Sequence, residues 1–187
     1  PRPRDVVELS EDGTRRYVRS DRELREVLMI GLERCQEKLQ GQEGVASLLW
    51  DSRPLRPKPE RQVALWLADR LKGDLAGQGI FVGRELEINA SPEGHMGESV
   101  DIMCEAVAGE RVEGSSLVRV VIELKCCWHR DLDRAMKEQL VDRYLGGDHR
   151  QGIYAVAYFD SPDWGEDTAG RRRCRRRDLE ATRDLFT

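Results

Sequence analysis

Between Val118 and Lys125 the chain reads VRVVIELK, and this stretch limits the fold more than any other. Val118, Val120, Ile122 and Leu124 alternate with Arg119, Val121, Glu123 and Lys125. Successive side chains of a strand point to opposite faces, so this period of two predicts a β-strand. Its Val and Ile residues suit a pleated surface. A strand so apolar is expected at the centre of its sheet. Glu123 and Lys125 then share one face near its end, with Leu124 turned the other way. A carboxylate and an ammonium are costly to bury without a partner or a task.

The 187 residues are enough for one domain with a sizeable core. The chain begins with Pro rather than Met, from which we expect a fragment or a processed chain. Hydrophobic residues make up 39% and charged residues 35%, which is polar for a globular domain but not disordered. No apolar run approaches the ~18 residues needed to cross a bilayer, and the start has no signal-peptide pattern. No membrane partner is expected. The net charge of −4 means that a nucleic-acid partner would need a local basic patch. Cys35, Cys104, Cys126, Cys127 and Cys174 form no CxxC pair and are expected as reduced thiols of a cytoplasmic protein. His95, His129 and His149 form no HExxH, so no zinc site is expected.

Taken in order, Asp12-Gly13 predicts a small hairpin within Val6–Arg19. Ser20 with Glu23 reads as a capping box, followed by Leu24, Val27, Leu28, Leu32, Cys35 and Leu39 at helical spacing. Val45–Trp50 fits a short strand or a packed loop. Asp51–Pro59, with three prolines, reads as an extended linker. A second helix runs from Glu60 to about Leu75, with Val63, Ala64, Leu67, Leu71 and Leu75 on one stripe, and Gly77 and Gly79 stop it. Ile80–Ile88 and Ser99–Val107 alternate as strands, and 109–116 is a hairpin-type loop. Leu132–Leu145 is a helix with Leu132, Ala135, Met136, Leu140 and Tyr144 inward, ended by Gly146-Gly147. Ile153–Phe159 is a strand, parallel to the central one because a helix separates them. A short helix is expected over Asp178–Phe186. The order predicts an α/β sandwich, a mixed central sheet flanked by helices. Residues 1–50 read as an N-terminal extension of hairpin and helix, and 51–187 as the core with a basic C-terminal segment.

This order gathers acidic residues. Asp101 lies on the strand before the central one, an expected antiparallel neighbour. Glu60 opens a helix that packs on the sheet. With Glu123 and Lys125 they make three carboxylates and one ammonium that can converge at one sheet edge. Such a set suits Mg²⁺, with Mn²⁺ able to substitute. The hard ion keeps waters and needs one or two carboxylates plus a carbonyl, for which Leu124 is placed. Lys125 would orient an attacking water and offset developing charge.

Asp101, then Glu123-Leu124-Lys125 closing an apolar strand, resembles the PD-(D/E)XK nuclease superfamily over about Glu60 to Phe159. The resemblance implies a restriction-endonuclease-like αβββαβ core and a Mg²⁺-dependent deoxyribonuclease, expected as an endonuclease. Asp101, Glu123, Leu124 and Glu60 would serve the metal, and Lys125 would activate the nucleophile. Gln139 with Arg143 or Tyr144 is similar to the Gln-x-x-x-Tyr element of RecB-like nucleases, with one residue more between Gln139 and Tyr144. In an α-helix Arg143 shares the side of Gln139, so Gln139 and Arg143 are expected to face the site and Tyr144 to pack. Arg143, Arg61 and Lys58 are candidate DNA contacts, with Arg53 and Arg56 flanking. ELKCCW, EQLVDRYL and GIYAVAYF also resemble nuclease domains of large bacterial anti-phage proteins, which implies further domains as partners and allows a homo-oligomer.

Plain readings stand beside these. Glu123 and Lys125 fit a surface ion pair, and Glu60 a first-turn helix acid. Gln139 fits a solvated position, and Trp128 fits core packing as well as base stacking. The Arg171–Arg177 run fits a solvated segment or a phosphate contact, and His95 a solvated loop. The whole could also be a nuclease-like module that only binds nucleic acid or a partner protein, and RNA stays open as the substrate.

Overall fold

A capping box starts the first helix of the computed structural model, which describes residues 18–41, 44–53, 55–89, 98–107, 117–145, 151–160, 164 and 169–176. Ser20 Oγ accepts the Glu23 N–H at 3.2 Å, and Glu23 Oε2 accepts the Arg19 N–H at 2.8 Å. The first bond satisfies a donor that the first turn would otherwise leave open, and the second ties the residue before the N-cap to the same turn. Helix α1 (Asp21–Gly41) follows and buries Leu24, Leu28, Gly31 and Cys35 along one stripe, as the spacing predicts.

A 3₁₀ turn at Ala46–Leu49 leads into two short strands, β1 (Trp50–Ser52) and β2 (Leu55–Pro57). They pair antiparallel, with Trp50 opposite Pro57. The expected linker is therefore extended but folded back on itself. A two-stranded ribbon has only edge strands, which tolerate proline. Helix α2 (Glu60–Asp74) begins directly after Pro59 and buries Val63, Ala64, Leu67, Ala68 and Leu71. Gly77 and Gly79 leave it with φ of +83° and +71°, the left-handed region that suits glycine. Helices α1 and α2 meet closely, since a Cβ on Gly31 would lie 2.9 Å from Leu71 Cδ2.

The sheet holds β3 (Ile80–Asn89), β4 (Glu98–Val107), β5 (Leu117–Cys126) and β6 (Gly152–Ala157), in that spatial order. β3–β4 and β4–β5 are antiparallel, and β5–β6 are parallel, as the helical crossover requires. β5 has a neighbour on each side and is buried continuously from Val120 to Cys126. One of its faces, with Val120, Ile122, Leu124 and Cys126, shares a core with Leu24 and Leu28 of α1 and Leu67 and Leu71 of α2. Val121 on the other face packs with Met103, Leu140 and Tyr144. The chain is thus a mixed α/β fold, its four-stranded mixed sheet flanked by helices. Helix α1 belongs to the same core as the sheet.

The crossover helix departs from the expected form. A single α-turn, α3 (Leu132–Ala135), gives way to a π-helical segment at Met136–Tyr144. Its last bond runs from the Leu145 N–H to the Leu140 carbonyl at 3.0 Å, five residues back. This segment seats on β6, where a Cβ on Gly152 would come within 2.7 Å of Leu140 Cδ1. The arginine run, read as solvated or phosphate-bound, forms helix α4 (Ala169–Arg176). Its Cys174 is joined to Cys127 by a disulfide. That corrects the expectation of five reduced thiols: the fold sets the two Cα atoms 5.2 Å apart, a separation a disulfide spans, although 47 residues divide them in sequence. Cys35, Cys104 and Cys126 are free and buried.

The loops at 90–97 and 109–116, the Gly146-Gly147 stop and the Asp178–Phe186 helix lie outside the described residues, as does all but the end of the hairpin expected at Val6–Arg19. No helix among the described residues is long and apolar enough to cross a membrane.

Candidate active site

The last residues of β5 lie where its ladder to β4 ends. The final antiparallel pair is Ile102 with Ile122, whereas pairing to β6 continues through Lys125 and Cys126. Beyond Ile122, the Asp101 carboxylate takes over as acceptor, and its Oδ2 receives the Leu124 N–H at 2.9 Å. Asp101 is thereby fixed beside the Glu123–Lys125 segment through a backbone contact.

Glu60 arrives from the other direction, on the first turn of α2. Its Oε2 accepts the Cys126 N–H at 2.8 Å, and its Oε1 lies 3.4 Å from Lys125 Nζ. Lys125 Nζ also donates to Glu123 Oε1 at 2.6 Å and to the Leu124 carbonyl at 3.3 Å. Glu123 and Lys125 are 3% and 6% exposed, and they are the buried charged residues among those described. This is no surface ion pair. The four residues Glu60, Asp101, Glu123 and Lys125 come together as the element order predicts.

The electrostatics divide their roles. Burial raises the Glu123 carboxyl to about 7, and the Asp101 and Glu60 charges add to this, against the bond and charge of Lys125. Burial acts to lower Lys125, but the hydrogen bond to Glu123 and the charges of Glu123, Glu60 and Asp101 outweigh it and raise the amine. At neutral pH Lys125 is an ammonium, while Glu123 is poised between its two forms. Three carboxylates face one ammonium, so the ionised cluster keeps an excess of negative charge. Its converging donors are hard oxygens: two carboxylates of β4 and β5, with the Leu124 carbonyl between Glu123 and Lys125. No group of three or more His, Cys, Asp or Glu is gathered as a metal site among the described residues. Mg²⁺ needs only one or two carboxylates plus a carbonyl and waters, so this donor set fits it.

The π-helix changes which residues attend the cluster. An α-helix advances about 100° per residue and would set Gln139 and Tyr144 about 140° apart. Bonding to the fifth residue draws such a pair toward one side. Tyr144 is 6% exposed, and its hydroxyl is pushed up to about 12 by burial, then by the Glu123 and Asp101 charges. Gln139 is half-buried, and its Oε1 is shielded with no hydrogen-bond partner among the described residues. Arg143 is exposed. Tyr144, read as a packing residue, therefore both packs and feels the site, whereas Arg143 lies at the surface. The extra residue in the Gln139–Tyr144 spacing was the sequence signal for this, since a π-bonded turn absorbs it.

The basic candidates flank Glu60 in the chain. Lys58 is half-buried just before α2, with its N–H on the Leu49 carbonyl at 2.9 Å. Arg61 is exposed on the first turn of α2, Arg53 is exposed, and Arg56 pairs with Asp51 at 3.4 Å. Trp128 packs against Phe159 and Trp164, a core role. His129 Nδ1 accepts the Asp131 N–H at 3.2 Å, and His95 lies outside the described residues. Comparison of the chain with protein-family models, with characterised proteins and with solved structures gave no match.

Proposed function

We propose that the chain is a Mg²⁺-dependent nuclease domain of the PD-(D/E)XK kind, hydrolysing DNA phosphodiester bonds as an endonuclease. The observation that carries this reading is the convergence of Asp101, Glu123, Lys125 and Glu60 at the open end of β5. The order α2–β3–β4–β5–helix–β6, with an antiparallel meander and one parallel strand, supports a restriction-endonuclease-like core. Its assignment to a larger bacterial defence protein rests on the resemblance of ELKCCW, EQLVDRYL and GIYAVAYF alone.

In this reading Asp101, Glu123 and the Leu124 carbonyl hold the ion, and Glu60 assists. Bound Mg²⁺ supplies charge stabilisation at the phosphate and acidifies the attacking water. Lys125 acts as a cation, because its raised pKa leaves no free base at neutral pH. Its ammonium orients the water and offsets charge on the phosphate. Glu60 steadies Lys125 and the Cys126 amide together. Gln139 offers its unpaired oxygen as an acceptor, and Tyr144 borders the carboxylates. Lys58 and Arg61, with Arg143 farther out, serve the DNA backbone.

The 2.6 Å bond between Lys125 and Glu123 favours a second reading, in which the cluster is only a buried ion pair inside a binding module. Calorimetric titration with Mg²⁺ separates the two. The nuclease reading predicts a binding heat that is lost in Asp101→Asn and in Glu123→Gln. Equal heats from wild type and both variants would leave the ion-pair reading standing.

A further inference from the structure

The π-helical segment Met136–Tyr144 is nine residues long, whereas π-bonding mostly occurs as single turns within α-helices. Its own sequence does not ask for this. Met136, Lys137, Glu138, Gln139, Leu140 and Arg143 are all strong α-helix formers. The five-residue frame is therefore imposed by packing. Two pairs of side chains follow that frame. Lys137 Nζ meets Asp142 Oδ2 at 2.8 Å, five residues on, but both side chains are exposed and such a pair is worth little. The other pair, Leu140 and Leu145, is seated on the sheet.

A Cβ on Gly152 would lie 2.7 Å from Leu140 Cδ1, 3.2 Å from Leu140 Cγ and 3.0 Å from Leu145 Cδ2. Both leucines thus converge on one point above β6. In an α-helix, residues five apart lie about 140° apart around the axis and would point to different sides. Gly152 itself is held in register opposite Val121 of the buried strand β5. Leu140 is 4% exposed and packs among Val100, Met103, Val121 and Tyr144, so it has little room to retreat from a side chain at position 152. Gln139 and Tyr144 each directly precede one of these leucines. The frame that seats the leucines therefore also draws Gln139 and Tyr144 toward one side.

We propose that Gly152 is a positioning residue: its missing side chain lets Leu140 and Leu145 converge on β6, and this convergence holds Met136–Tyr144 in the π frame that sets Gln139 and Tyr144 on one side. The hold on the helix is independent of the nuclease reading, whereas its consequence for cleavage rests on that reading.

Two variants of the full chain test it. Gly152→Val keeps a residue suited to a strand and fills the point where the leucines meet. Leu145→Ala leaves Gly152 untouched and removes one of the two leucines. NMR correlations across hydrogen bonds, in isotope-labelled protein, identify the carbonyl to which the amide at position 145 is bonded. Wild type should show the Leu140 carbonyl, as the 3.0 Å bond requires. Both variants should lose that correlation and gain one to the Val141 carbonyl, the α-helical partner four residues back. Cleavage in Mg²⁺ should fall with it by about 10²-fold, in kcat more than in KM. A wild-type amide at 145 bonded to Val141, or a folded variant that keeps the Leu140 bond, would overturn the proposal. So would a wild-type kcat in a chain whose register has moved. If Gly152→Val does not fold, Leu145→Ala decides alone. A wild-type chain that leaves DNA uncut, while its register responds as expected, would support the hold of Gly152 on the helix and count against the nuclease reading.

Discussion

Lys125→Met is expected to lower Mg²⁺-dependent DNA cleavage by about 10²–10³-fold, the usual loss when one preorganised charge-stabilising donor is removed. The side chain is almost fully buried, so Met can fill much of its place. What goes is the ammonium that touches Glu123, Glu60 and the Leu124 carbonyl together. Glu123 then loses its 2.6 Å partner and takes up a proton, so the single variant should also melt at a lower temperature. The double variant Glu123→Gln, Lys125→Met leaves neither member of the pair charged. It should melt higher than the single variant and cleave no better. A Lys125→Met chain that cleaved at the wild-type rate at a temperature where it is still folded would mean that Lys125 serves only the fold. Cleavage rate and melting temperature, measured on all three chains, decide this.

Glu123 should also make stability fall as pH rises, the reverse of an ordinary salt-bridged carboxylate. Its folded-state pKa of about 7 lies above the ordinary carboxyl value of 4.5, so the folded chain holds this proton more tightly than the unfolded one. The stability it contributes is complete below about pH 4.5 and is lost as pH rises through about 7. A difference of this size corresponds to about 3 kcal/mol. Urea unfolding without divalent metal, at about pH 5 and about pH 7.5, should show that loss in wild type and a much smaller one in Glu123→Gln. Mg²⁺ should restore part of it at the higher pH, because a metal-binding carboxylate gives up its proton. Equal pH dependence in the two chains would show that Glu123 is not the strained group.

The convergence of Glu60, Asp101, Glu123 and Lys125 was legible because it follows from three periodic features: the alternation of VRVVIELK, the alternation before it, and an acidic residue at a helix start. Strand pairing carried the rest, since the hairpin-type loop set β4 antiparallel and the crossover set β6 parallel. The π-helix left one trace in the sequence, the extra residue between Gln139 and Tyr144, which an α-helical reading turned into a preference for Arg143. Apolar spacing at Leu132, Ala135, Leu140 and Tyr144 is compatible with an α-helix and gave no warning of bonding to the fifth residue. Tyr144 was consequently assigned to packing, and the field of Glu123 and Asp101 at its hydroxyl was missed. The disulfide was hidden for another reason. Cys127 and Cys174 are 47 residues apart, and nothing in either local sequence says that α4 docks beside the end of β5. The hairpin of β1 and β2 escaped because three prolines mark extended chain without saying that it pairs with itself.

The central claim is Mg²⁺-dependent cleavage of DNA, and the most direct measurement is incubation of the chain with supercoiled circular and linear DNA, with and without Mg²⁺, followed by electrophoresis. The cluster at the end of β5 predicts that both substrates are cut only when Mg²⁺ is present, the circle included, and that Lys125→Met leaves both largely intact. Circular and linear DNA that stay intact in Mg²⁺, or cleavage that Lys125→Met preserves in full, would contradict it.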